Sequence, residues 1–218
     1  MKIVELQSGT ILTWRHLLVR GAPEGIRFEV PVKFFYIEHN NKRILFDTGQ
    51  KPLSYQQPDD ANFLVRVTEK ETAAALLKNI SVEPESIDYV VLSHLHADHV
   101  DGTADFGNAQ IIIQEREAAC RQLVWQNICL IDGVFDLFND RRIICLPTYG
   151  HTPGHQSLLL KLDDSSSILL TGDAVHTHDA LDHRFSPEEY KSNPEYVDTV
   201  GKLRKLELDN VKLIFSHE

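Results

Sequence analysis

The stretch VVLSHLHADHVDG, residues 90–102, sets three histidines and an aspartate into the six positions from His94 to His99, directly behind the apolar run Val90–Leu92. Polar side chains clustered against a buried strand cost free energy unless something partners them, so a solvated loop of merely hydrogen-bonded histidines explains the cluster poorly. His94 and His96 are two apart; in an extended segment leaving a strand they project to one side and can grip one cation. Asp98 and His99 face elsewhere as the chain turns toward a helix, and that split suits two metal ions rather than one. Imidazole and carboxylate suit zinc first, with manganese, iron or cobalt as alternatives, and no cysteine stands close enough in sequence to make a thiolate site.

Outward from the cluster the chain reads as strands first. Arg27–His39 (RFEVPVKFFYIEH) is rich in β-branched and aromatic residues, and Asn40-Asn41 supplies a turn into RILFDTG, residues 43–49, which predicts a hairpin. Thr68 with Glu71 three residues on has the form of a capping box and predicts a helix running from there to before Pro84. Residues 88–93, 109–114, 142–147, 155–162 and 167–173 read as further strands, with a helical pattern from Glu115. Asn193-Pro194 opens a late helix to about Leu208, ahead of VKLIFSH. Strands interleaved with a few amphipathic helices suggest two packed sheets flanked by helices, in one domain spanning residues 1–218. Four strands end on ionisable groups, Asp47, the cluster from His94, Asp173 and His217, and strand ends can converge on one site.

Composition narrows the function classes. A formal net charge of -10 disfavours a nucleic-acid partner, because such binding draws mainly on Lys and Arg neutralising phosphates. With 42% hydrophobic and 25% charged residues the chain is ordinary for a globular protein, and it holds no 18-residue apolar run, so no membrane role is expected. The N-terminal residues alternate rather than form an apolar block with a cleavage site, which predicts a cytoplasmic protein. Cys120, Cys129 and Cys145 are too few for a disulfide framework and read as buried structural thiols. Of eleven histidines, six fall in the windows 94–99 and 176–183, the second of which reads as a polar loop or as the rim of a substrate mouth.

SHLHADH resembles the His-x-His-x-Asp-His signature of the metallo-β-lactamase superfamily. The resemblance covers nearly the whole chain, since DTG at 47–49, GHTPGH at 150–155, TGDA at 171–174 and FSH at 215–217 follow in the superfamily's order. It implies an α+β fold, the αββα sandwich of two mixed sheets packed face to face with helices outside. It also implies His94, His96 and His151 on one divalent ion, Asp98, His99 and His217 on a second, and Asp173 bridging both.

Within the superfamily, Asp173 stands where zinc β-lactamases carry a cysteine, His96 departs from the glutamate of flavodiiron proteins, and glyoxalase II carries a helical domain after its last metal histidine, whereas here only Glu218 follows His217. The flanks EVPVKFFYIEH, ILFDTG and TPGHQSLLL are similar to the quorum-quenching N-acyl homoserine lactone lactonases. That resemblance implies a hydrolase that opens a lactone ester by attack of a hydroxide shared by two cations, with a small-molecule substrate and, by family analogy, a homodimer. A thioester hydrolase or a phosphodiesterase with the same ions is the alternative, and a metal-binding sensor is the reading from outside enzymology. Asp98 is placed both to ligate and to shuttle the leaving-group proton. His176 occupies the position, three after the bridging aspartate, where these lactonases carry a tyrosine that hydrogen-bonds substrate. Asp47 is expected to hold a ligand imidazole from behind, and His155 to be a satisfied core histidine. Trp14, His16, Phe63 and Phe106 are candidates for an acyl pocket, with a core role as the plainer reading.

Overall fold

The structure is a computed structural model of the chain that describes residues 1–182, 187 and 190–218; His183 of the second histidine window lies outside them. Among the described residues there are two sheets. The first comprises β1 (Lys2–Trp14), β2 (Arg27–His39), β3 (Lys42–Phe46), β4 (Phe63–Arg66), β5 (Tyr89–Val91), β6 (Gln110–Gln114) and β7 (Ile128–Ile131), in the order β4-β1-β2-β3-β5-β6-β7. The second comprises β8 (Phe135–Asp136), β9 (Ile143–Pro147), β10 (Gln156–Lys161), β11 (Ser167–Leu170) and β12 (Val211–Ile214), in the order β12-β11-β10-β9-β8. Both are mixed. In the first, β1, β2, β3 and β4 pair antiparallel while β3-β5 and β5-β6 are parallel; in the second, β11-β12 is parallel and β8 to β11 antiparallel. The helices are α1 (Arg15–Leu18), α2 (Ala73–Asn79), α3 (Ala97–Val100), α4 (Glu115–Ala118), α5 (His178–Leu181) and α6 (Pro194–Leu208). Among the described residues no helix is long and apolar enough to cross a membrane.

By density of packing the chain divides into two compact units, Met1–Arg15 with Glu24–Ile112 and Leu123–Cys129, and His16–Pro23 with Ile113–Gln122 and Leu130–Glu218. In the first unit Phe34 to Ile37 of β2 and Ile44 to Phe46 of β3 are consecutive buried residues, the pattern of strands covered on both faces. Their hairpin turns on Asn40 (φ 49) and Asn41 (φ 58), both left-handed as a two-residue turn matched to strand twist requires. The second unit has its own apolar cluster, with Leu159 and Leu169 from the sheet, Ala180 and Leu181 from α5, and Tyr196, Val200 and Leu203 from α6. Asn193 caps α6 through bonds from the Glu195 and Tyr196 amides, at 3.0 and 3.4 Å, and Pro194 fills the first helical position where no amide hydrogen is needed.

Two expectations are corrected. The capping-box bond exists, the Thr68 amide donating to the Glu71 carboxylate at 2.8 Å, but it closes only a 3₁₀ turn over Glu69–Glu71. The α-helix starts afresh at Ala73 because Thr72 stays extended (ψ 150) and accepts from the Ala75 amide, a threonine serving as cap rather than as helix interior. Of the three cysteines only Cys145 is buried; Cys129 is partly covered and Cys120, just past the end of α4, is exposed.

Candidate metal centre

In the first unit the site is built where β3 and β5 end. The chain leaves β3 through Asp47 (φ 62), Thr48 and Gly49 (φ 65), and a Cβ on Gly49 would stand 2.4 Å from that of Ser8, so only glycine fits. Thr48 clamps α3: its amide donates to the His99 carbonyl at 2.8 Å and its hydroxyl to the same oxygen at 3.1 Å. Asp47 and His99 are thereby brought together, with His99 Nδ1 2.7 Å from Asp47 Oδ2, which is the support expected of this aspartate. His94 and His99 are fully buried, Asp98 is partly exposed, and His96 is exposed. The ring nitrogens offered by His94 and His96 lie within 4.8 Å of each other, as do the ligand atoms of Asp98 and His99. His99 Nε2 faces Asp98 Oδ2 at 3.6 Å. Further along the turn, burial pushes the Asp101 carboxyl above the ordinary carboxylate range, the Asp98 charge acting the same way against the opposing Lys51 amide.

In the second unit Asp173 is the hub. His217 Nε2 stands 3.2 Å from Oδ1, His151 Nε2 3.5 Å from Oδ2, and His176 Nε2 3.7 Å from Oδ2. A carboxylate with a different imidazole on each oxygen is an arrangement suited to bridging two cations, and this donor set of imidazoles and one carboxylate fits divalent ions without a thiolate. The His151 loop is held from several sides. Glu117, itself buried, accepts from Thr152 Oγ1 at 2.8 Å and the Gly154 amide at 2.9 Å; from α6 the Thr199 hydroxyl donates to the Tyr149 carbonyl at 2.7 Å, and the side-chain Nδ2 of Asn193, the cap of α6, donates to Gly150 O at 2.9 Å. Tyr190 places its hydroxyl 3.0 Å from His151 Nδ1 and stacks its ring on Tyr196 at 4.9 Å.

His155 has the core role expected of it. The Asp173 amide donates to its Nε2 at 3.0 Å, so its own proton sits on Nδ1 and goes to Thr148 Oγ1 at 2.9 Å, and the chain continues through Ser157 Oγ to the Thr171 carbonyl. Both ring nitrogens are committed to holding Asp173's backbone. His176 lies with its ring 5.1 Å from that of His151 and 6.3 Å from that of Tyr190. Of the acyl-pocket candidates, Phe106 is core, Phe63 is half exposed, and the Trp14 ring carries the Arg27 guanidinium at 4.1 Å. Sequence reasoning missed Ser93, Glu117 and Tyr190. Ser93 adjoins the motif and was open to inspection, whereas the other two reach residues 35 and 39 positions away and carry no local signal.

Mixed sheets with helices, and histidine-aspartate sets at strand ends, are the makings of a metal-binding fold. The chain belongs to the metallo-β-lactamase superfamily: residues 27–119 match the superfamily's model, and full-length relatives agree. N-acyl homoserine lactonase AttM of Azorhizobium caulinodans is 30% identical, the match spanning 100% of this chain and 93% of that protein. AiiA of Bacillus thuringiensis subsp. kurstaki, likewise an N-acyl homoserine lactonase, is 30% identical over 83% of this chain and 80% of its own. Among solved structures, an N-acyl homoserine lactone hydrolase with the product N-hexanoyl-L-homoserine bound at its catalytic metal center superposes with a TM-score of 0.84 at 26% identity, covering 99% of this chain and 92% of that one.

Proposed function

We propose that the chain is a single-domain, dinuclear metal-dependent lactonase that hydrolyses the ester bond of an N-acyl homoserine lactone or a related lactone. In this reading His94, His96 and His151 hold one ion, Asp98, His99 and His217 the other, and Asp173 bridges them. The observation that carries it is Asp173, with His217 and His151 on opposite carboxylate oxygens. The relatives' activity on homoserine lactones supports the substrate class. Zinc is the ion proposed, on the nitrogen and oxygen donor set, the cytoplasm the compartment, on the low cysteine count, and a homodimer the assembly, on family analogy.

When bound, the ions would polarise the ester carbonyl and lower the pKa of a water toward neutrality. The protein's own groups do the rest. Asp98, the partly exposed carboxylate of the set, takes a proton and returns it to the departing alkoxide. His176, buried beside Asp173, donates a ring hydrogen to a substrate oxygen and orients it. Glu117 and α6 hold the His151 loop still, so the ligand need not be ordered at the moment of reaction.

The test is a panel of homoserine lactones, thioesters and bis(p-nitrophenyl) phosphate, each followed by acid release on zinc-reconstituted protein. Lactone turnover is expected, falling about 10²–10⁴-fold in Asp98→Asn. Turnover confined to thioester or phosphodiester rejects the lactonase reading, and failure of the folded protein to hold zinc rejects the dinuclear one.

A further inference from the structure

Asp47, Ser93, His94 and His99 form a closed cluster in the first unit, each 1% exposed or less. The direction of the hydrogen bonds that Asp47 and Ser93 make in it follows from counting protons. Asp47 Oδ1 accepts from the Ser93 amide at 2.7 Å, and Oδ2 faces both the Ser93 hydroxyl at 2.8 Å and His99 Nδ1 at 2.7 Å. Ser93 Oγ also faces His94 Nδ1, at 2.9 Å, and, at a longer 3.4 Å, His99 Nδ1. With the Ser93 amide and hydroxyl both donating to Asp47, the one hydroxyl hydrogen of Ser93 goes to Oδ2 and its oxygen presents only lone pairs to the histidine rings. His94 Nδ1 must then carry a hydrogen. His99 Nδ1 must as well, since its nearest neighbour is the same carboxylate.

We infer that Ser93 is a positioning residue that extends the reach of Asp47 by one hydrogen bond, so that a single buried carboxylate fixes the ring tautomer and orientation of both His94 and His99. Each ring is left with its lone pair on Nε2, the form in which imidazole ligates a cation. The inference rests on the proposed ligand assignment in one respect: His94 and His99 serve different ions there, so Asp47 sets a ligand of each, directly for His99 and only through Ser93 for His94. Removing the hydroxyl releases one ring. Changing the carboxylate disturbs both.

Two measurements test this on Ser93→Ala, Ser93→Thr and Asp47→Asn. The first is ¹H–¹⁵N NMR of the histidine rings in metal-free protein, and the second is calorimetric titration with zinc. In the unsubstituted protein both His94 and His99 should show Nδ1–H. Ser93→Ala should turn His94 into a mixture of tautomers while His99, still on Asp47, stays Nδ1–H, and weaken one of the two zinc affinities about 10–100-fold. Ser93→Thr, which keeps the hydroxyl, should restore both. Asp47→Asn keeps the backbone, because Asn tolerates a positive φ, yet should alter both rings and both affinities; it decides the matter if the added methyl of Ser93→Thr prevents folding. A Ser93→Ala protein with His94 still purely Nδ1–H and both affinities intact overturns the inference. Unsubstituted protein that takes up no zinc overturns the dinuclear reading instead, and the ring spectra still decide the role of Ser93.

Discussion

Asp47 combines a left-handed backbone (φ 62) with three buried hydrogen bonds, from the Ser93 amide, the Ser93 hydroxyl and His99 Nδ1. A non-glycine residue is held in that conformation only when its surroundings repay the strain. Asp47→Ala keeps the strain and strands the donors, so it should lower unfolding free energy by about 2–4 kcal/mol, read from urea denaturation. Tyr36 offers a second test at this scale. Burial first, then its 2.7 Å bond to Glu38, pushes its phenol up to about 12 from 10.0. Between those values the folded chain keeps a proton that the unfolded chain has released, so this contribution to stability is complete below pH 10.0 and drains away as pH rises to about 12. Tyr36→Phe should flatten that alkaline loss and remove one late step from a spectrophotometric phenolate titration.

Individual elements place the proposed ligands. The loop carrying His151 is pinned between α4 and α6 at two glycines: a Cβ on Gly154 would lie 2.1 Å from the Glu117 amide nitrogen, and one on Gly150 (φ 128) 2.4 Å from Tyr196 Cα. Gly154→Ala forces backbone apart, and should cost about 1–3 kcal/mol in a denaturation midpoint and weaken zinc binding with it. Asn193→Ala should cost about 1 kcal/mol through the lost α6 cap, and more if its bond to the Gly150 carbonyl matters to the fold. Thr68 and Thr72 show where local reading stops. Both fit a helix start, and the chain used the first for a 3₁₀ turn and the second for the helix because capping bonds compete over the same few residues.

For the molecule as a whole, the ligands proposed for the ions follow β5, β9, β11 and β12 along the chain, so that ion binding would be tied to folding, because the unfolded chain has no such site. Chelation should therefore lower the thermal midpoint, and zinc above its dissociation constant should restore it in proportion to the logarithm of its concentration, as differential scanning calorimetry would record. The motif His94-x-His96-x-Asp98-His99, the DTG turn and the strand ends at Asp173 and His217 were legible because each lies in a short segment whose spacing fixes which way its side chains point. Strands β4, β7 and β8 were not, being short or irregular segments that become strands by pairing with neighbours rather than by their own pattern.

Residue types and their order along the chain were enough to fix the chemistry on offer: imidazoles and carboxylates suited to divalent ions, in the order one superfamily uses. Which proton His94, His99 and His155 keep, that Glu117 and Tyr190 steady the His151 loop, and that Asp47 reaches His94 by way of Ser93 were decided by the folded structure. The reason is that a hydrogen bond's direction depends on every partner present, and those partners arrive from positions 18 to 52 residues apart that only packing brings to 3.0 Å or less.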